Sequence, residues 1–141
     1  MKICVDSNYF IALNNPLDTN YVKADIISHK VIEKNPFFVI SSFTFLETTT
    51  VLSQRASRQI AVETGNDLLH NKHVEIIHIT DGLQQKSWQI FQAVNKKNLS
   101  FVDCSILAVM QYEDIDTLLT FDQKDFSPLQ KRYGFHLFPL E

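Results

Sequence analysis

Glycine and proline are scarce, with three and four residues in a chain of 141. That excludes a glycine-rich phosphate loop and any collagenous or loop-dominated architecture. Two cysteines cannot build a disulfide framework. Long apolar runs are also missing. The stretch Phe37–Phe45 is too short and too polar to cross a bilayer, which takes about 20 residues. The opening residues meet Asp6 after only three apolar positions, so no secretory leader is expected, and the expected compartment is the cytosol. An excess of positive charge is lacking too. Thirteen Lys+Arg stand against 16 Asp+Glu, a formal −3, whereas nucleic-acid-binding domains are usually strongly basic. What is present is an ordinary globular balance, 45% hydrophobic and 21% charged. It predicts one domain over residues 1–141 with a sizeable core.

The apolar pattern alternates between strand and helix. Lys2–Val5 is a short apolar strand that ends at Asp6-Ser7-Asn8, a group of helix-capping residues. Tyr9 to Leu13 predicts a short helix, stopped at Asn14-Asn15-Pro16. From Thr19 to Lys34, Val22, Ile26, Ile27 and Val31 recur at helical spacing, and Asn35-Pro36 ends the run. Phe37–Ile40 is a buried-type strand, followed by helices to about Gln54 and from Ser57 to Leu69. His73–Ile79 is rich in β-formers, and His78 is expected to be packed there. Leu83, Trp88, Ile90, Phe91 and Val94 mark a helix to about Lys97, with Trp88, Phe91 and Val94 expected in the core. Ser100 opens a helix to Tyr112. Thr117–Thr120 and Phe135–Phe138 complete five strands. Strands alternating with helices predict an α/β fold with a mostly parallel sheet, in which ligands bind beyond the carboxyl ends of the strands.

Four acids stand out against their apolar surroundings. Asp6 directly follows the first strand and Asp122 closely follows the fourth. Asp103 lies in the first turn of a helix, and Glu47 lies inside another. Each has an ordinary explanation. Asp6 could cap a helix, and Ser100-x-x-Asp103 resembles a capping box. Asp122 and Asp125 occupy a turn where Asp is common. Glu47 is the hardest to explain so, because no cation lies three or four residues from it, and an unpaired buried charge is strongly unfavourable. Taken together, all four can face one rim of a parallel sheet. Carboxylates about 4 Å apart repel by roughly 4 kcal/mol per pair at an effective dielectric near 20. Protons or cations would have to fill such a site. None of the five histidines (His29, His70, His73, His78, His136) falls in a metal-binding pattern. Cys4 and Cys104 lack Cys-x-x-Cys spacing and are read as buried free thiols. An all-oxygen ligand set favours Mg²⁺ or Mn²⁺, ions that handle phosphodiesters. Without the four acids, the rest of the chain carries 13 basic against 12 acidic side chains, a formal +1. Lys96, Lys97, Lys124, Arg55 and Arg58 are then candidate phosphate contacts, or ordinary solvated charges.

The chain resembles the PIN-domain ribonucleases, and especially the VapC-type toxins of prokaryotic toxin–antitoxin pairs. Val5-Asp6-Ser7-Asn8-Tyr9-Phe10 resembles the opening strand and first acid of that family. Phe45-Leu46-Glu47 is similar to the second acid on its helix, and Leu99 to Ala108 matches the third-acid motif. Leu119-Thr120-Phe121-Asp122-Gln123-Lys124-Asp125-Phe126 is similar to the closing Thr-x-Asp-x-x-Phe, with the aromatic one residue late. The resemblance implies a three-layer α/β/α sandwich and Mg²⁺- or Mn²⁺-dependent RNA cleavage. It also implies Asp6, Glu47, Asp103 and Asp122 as the acid quartet, with Asn8 and Thr120 beside them. A homodimer and an inhibiting antitoxin are further implications. Asp125 is a fifth acid that could share or take the fourth role. It is expected instead to cap the turn or a short helix there, with Phe126 packed in the core. Two alternatives stay open. One is a PIN-like module that binds RNA or a partner without cutting. The other is a phospho-receiver domain, although receivers usually carry two adjacent acids after the first strand.

Overall fold

The computed structural model describes residues 1–141. Five strands form one sheet: β1 (Lys2–Val5), β2 (Phe37–Ser41), β3 (Val74–Ile77), β4 (Thr117–Leu119) and β5 (His136–Leu137). Their order is β3-β2-β1-β4-β5, and every pairing is parallel. Parallel neighbours need long crossovers, and helices supply them. They are α1 (Ser7–Asn14), α2 (Tyr21–Glu33), α3 (Ser42–Arg55), α4 (Arg58–His70), α5 (Asp81–Val94) and α6 (Phe101–Tyr112). After β4 come two single-turn helices, α7 (Gln123–Phe126) and α8 (Gln130–Tyr133), joined by a 3-10 turn over Ser127–Leu129.

Strand residues alternate between two cores, as the two-residue side-chain period requires. Ile3 and Val5 join Ile40 and Leu119 in one cluster, with Tyr9, Phe10, Ala24, Ile27 and Val31 from α1 and α2. Cys4, Val39 and Leu118 point the other way, into a cluster built on α6 with Leu83 and Ile90 of α5. Phe126 is fully buried in this second core, as expected. The result is the α/β/α sandwich. Its sheet order differs from the 2-1-3-4-5 order of receiver domains, which removes that alternative.

The chain winds outward from β1 through β2 to β3, then returns to the other side of β1 to lay down β4. The β1/β4 boundary is therefore the topological switch point, where open α/β sheets leave a crevice. Asp6 and Thr120 stand at that crevice, and the Asp6 amide donates to the Leu119 carbonyl at 2.9 Å.

Several expectations need correction. On α2 the buried stripe is Ala24, Ile27 and Val31, while Val22 and Ile26 face outward, 68% and 52% exposed. The third strand stops at Ile77, and His78 is exposed beyond it. Trp88 and Phe91 are not core residues: they are 52% and 38% exposed. The buried face of α5 is Leu83, Ser87 and Ile90, with Val94 packed at its end. Ser87 sits there because its hydroxyl donates to the Leu83 carbonyl at 2.7 Å, which satisfies a polar group inside the core.

Candidate active site

The rim is built from element ends. Asp6 occupies the N-cap position of α1, yet its side chain makes no capping hydrogen bond. The capping explanation for this residue therefore fails. Its carboxylate is held from the side instead. Thr120 Oγ1 donates to Asp6 Oδ2 at 2.8 Å, and Asn8 Nδ2 approaches the same oxygen at 3.3 Å. Asn8 Nδ2 also reaches Thr120 Oγ1 at 3.2 Å, and its Oδ1 accepts from the Phe121 amide at 3.1 Å. Thr120 Oγ1 accepts in turn from the Asp122 amide at 3.0 Å. Asn8 and Thr120 thus tie the ends of β1 and β4 together and aim two of the acids.

Glu47 lies one and a half turns into α3. That helix starts directly at the end of β2, with Ser41 as its cap. No cation partners Glu47. Its Oε1 accepts a short hydrogen bond from Ser7 Oγ, which also lies 3.5 Å from Asp6 Oδ1. Ser7 is therefore a bridge between two of the acids. In the sequence it read only as part of a capping cluster; the available signal was a hydroxyl next to the first acid.

Asp103 does form the capping box. The Ser100 amide donates to Asp103 Oδ2 at 2.9 Å, and the Asp103 amide donates to Ser100 Oγ at 3.1 Å. The structural reading and the site reading coexist here, because only Oδ2 is engaged. Asp122 is exposed and takes the N-cap position of α7 without a side-chain capping bond. Asp125, expected to cap, makes no such bond and sits half-buried in the first turn of α7. Asp122 occupies the cap position instead.

The electrostatics connect the four. Burial pushes the Asp6 carboxyl up to about 7, assisted by the charges of Asp103, Asp122 and Glu47 and opposed by the Thr120 hydrogen bond. Burial likewise raises Asp103 to about 6, with Asp122 and Glu47 contributing and the Ser100 hydrogen bonds opposing. Asp125 is not among the groups that shift either acid. The protein's one ion pair is elsewhere, between Lys2 and Glu75. Both thiols are buried; burial and the nearby acids raise Cys4 to about 12 and Cys104 to about 11. They remain protonated and poor ligands.

The donor set suits a hard divalent cation: four carboxylates in mutual electrostatic reach, none neutralised by Lys or Arg. As they stand, no three of them are grouped tightly enough to hold one ion. Among the candidate phosphate contacts, Lys124 lies in α7 beside Asp122. Lys96 and Lys97 occupy the turn before the α6 cap, where Asn95 (φ 49°) ends α5 in the left-handed region. Arg55 lies eight residues beyond Glu47 on α3, about 12 Å along the axis. Arg58 lines the groove between α3 and α4. The structure does not bring these two arginines to the acids.

The comparisons agree with this geometry. The PIN domain family model matches residues 3–131. The 23S rRNA-specific endonuclease VapC20 of Mycobacterium tuberculosis is 30% identical over 125 residues, covering 89% of this chain and 92% of that protein. The crystal structure of the same relative, described as a sarcin–ricin loop cleaving toxin, matches with a TM-score of 0.81 and 28% identity over 95% of this chain and 96% of that one. VapBC2 from Rickettsia felis, bound to a DNA fragment from its promoter, shares the fold with a TM-score of 0.67 and 18% identity, covering 99% and 100% of the two chains. An acid rim at the β1/β4 switch point, in a chain matched almost end to end, makes this protein a member of the PIN domain family.

Proposed function

We propose that this protein is a metal-dependent endoribonuclease and the toxin of a toxin–antitoxin pair. The observation that carries the reading is the cation-free quartet Asp6, Glu47, Asp103 and Asp122 at the switch point of a PIN fold. Similarity to an rRNA endonuclease over 89% of the chain supports it, and on that similarity the substrate is a structured ribosomal RNA loop. These four side chains would hold Mg²⁺ or Mn²⁺. Such an ion lowers the pKa of a water and stabilises the charge that develops on a phosphodiester. The chain's own residues do the positioning. Thr120 and Asn8 fix Asp6 Oδ2, and Ser7 fixes Glu47 against Asp6. The α6 capping box leaves Asp103 Oδ1 free to face the site. Lys96, Lys97 and Lys124 would neutralise phosphates flanking the cut. Arg55 and Arg58 would serve only an RNA that extends along α3. The same reading carries an antitoxin partner, a homodimer and a cytoplasmic location. A module that binds without cutting is disfavoured, because every acid is present and none is neutralised.

The experiment is a digest of a sarcin–ricin loop RNA hairpin with Mg²⁺, Mn²⁺ or excess EDTA, alongside Asp6→Asn. Cleavage that needs the metal and is lost in the variant is expected. Full-rate cleavage in EDTA would sink the metal assignment, and no cleavage under any condition would sink the nuclease reading.

A further inference from the structure

Four aromatic rings form a chain that starts on the two helices carrying Glu47 and Asp103 and ends in solvent. Phe43 lies one turn before Glu47 on α3, and Phe101 lies two residues before Asp103 on α6. Their ring centroids are 6.1 Å apart. Phe101 meets Trp88 at 6.1 Å and Phe91 at 6.0 Å, with interplanar angles of 62° and 83°. Trp88 and Phe91 stack on each other at 5.5 Å, tilted by 22°. Edge-to-face contact with Phe101 holds that stacked pair in orientation. Despite the packing, Trp88 is half exposed and Phe91 more than a third.

Amides, not aliphatic side chains, surround the exposed face. Gln84, Gln85, Gln89 and Gln92 line a shallow depression with Trp88 and Asp81. Gln84, Gln85 and Gln92 fall within one turn of Trp88, and carboxamides can both donate to and accept from the edges of bases. The exposed ring area is on the order of 200 Å², given that such rings bury 150–250 Å² in full. A standard interface takes about 800 Å² per partner. The patch is therefore too small and too hydrophilic at its rim to be the centre of a contact between proteins. It does match the face of one or two nucleobases.

We infer that Trp88 and Phe91 are a stacking platform for unpaired bases of the RNA next to the phosphate held at the acid rim. This rests on the ribonuclease reading and adds where the substrate is gripped. Single-stranded segments are commonly held by base–aromatic stacking, which needs no particular sequence. The platform would favour loops over duplexes, whose bases are stacked on each other.

Trp88 is the only tryptophan in the chain, so its emission reports the site directly. Wild-type protein in EDTA is titrated with the sarcin–ricin loop hairpin, to several times the KM for cleavage, and with a blunt RNA duplex. Quenching by the hairpin and little by the duplex is expected. In Mg²⁺, Trp88→Leu is expected to raise KM about tenfold, the scale of one lost base stack, with kcat nearly unchanged. Trp88→Phe should retain most of the affinity, and Phe91→Leu should lose part of it. If wild type cleaves while the emission is unmoved, or Trp88→Leu leaves KM as it was, the platform is overturned and the nuclease reading stands. If Trp88→Leu instead halves the mass in light scattering, the patch joins two copies of the chain. If wild type cleaves nothing, both readings fall together.

Discussion

Two carboxylates, one on an edge strand of the sheet and one just beyond its central strand, receive opposite treatment. Glu75, at the exposed edge strand β3, lies 3.7 Å from Lys2, both about half exposed. Asp6, only 3% exposed, has three acids in electrostatic reach and no cation. For stability alone the arrangement is inverted. An exposed pair contributes about 0–1 kcal/mol, while burying an uncompensated charge costs several. The protein leaves a partner out where one would matter most. Packing alone does not favour such an imbalance, and it is the arrangement on which the proposed site rests.

The sharpest way to break this contrast is to remove the buried charge. Asp6→Asn is expected to lower RNA cleavage by about a hundredfold or more, the scale of losing one electrostatic group from an active site. The metal-free fold should be unharmed or firmer. A rate assay and a thermal melt on the same preparation check both halves; a variant that unfolds would return Asp6 to a structural role.

A pH series in EDTA tests the cost of the charge itself. Asp6 is raised from 3.8 to about 7 and Asp103 from 3.8 to about 6. The folded state therefore keeps protons that the unfolded state has already lost. Stability falls as pH rises from about 4 through 7, by a few kcal/mol in all, and is flat above. Melts from pH 4.5 to 8 should show this decline in wild type and a shallower one in Asp6→Asn. A midpoint that rises over this range would contradict the assignment.

On the proposed metal site, millimolar Mg²⁺ at pH 7.5 should raise the melting temperature of wild type; a ligand that binds only the folded state, at a hundredfold excess over Kd, adds about 2.7 kcal/mol. Asp6→Asn and Asp122→Asn should lose most of that shift. Asp125→Asn should keep it, because Asp125 neither caps α7 nor acts on the two raised acids. A lost shift in Asp125→Asn with a retained one in Asp122→Asn would exchange their roles.

Ser7→Ala removes the bridge between Glu47 and Asp6. A hydrogen bond to a charged group contributes about 1.5–3 kcal/mol, so cleavage should drop roughly tenfold while the fold persists; Ser7→Thr should restore part of it. On the edge strand, Glu75→Gln should change stability by less than about 1 kcal/mol and leave cleavage alone. A larger effect there would erase the contrast between the two carboxylates.

Much of this was legible in the sequence because the informative signals are local. Strand-then-acid at Val5-Asp6 and a cap-then-acid at Ser100-x-x-Asp103 announce both an element boundary and a site residue. What was hidden had specific causes. The segment from Gln123 to Tyr133 folds as two four-residue helices around a 3-10 turn, too short for any period to show. Trp88 and Phe91 look like core residues in the sequence because a serine, Ser87, occupies the true buried position. Ser87 hides its hydroxyl against Leu83, so the apolar stripe visible in the sequence lies one face away from the buried one. Ser7's role depends on a contact across 40 residues of sequence, which no spacing rule can reveal.

The hydrogen bond from Thr120 to Asp6 spans 114 positions of the chain. Asp6 is made 114 positions before its supporting threonine, and Asp122 follows that threonine by two residues. A growing polypeptide on the ribosome therefore holds no assembled acid rim until β4 has emerged and docked against β1. The order of synthesis thereby delays the site: the four acids cannot act together before β4 has docked.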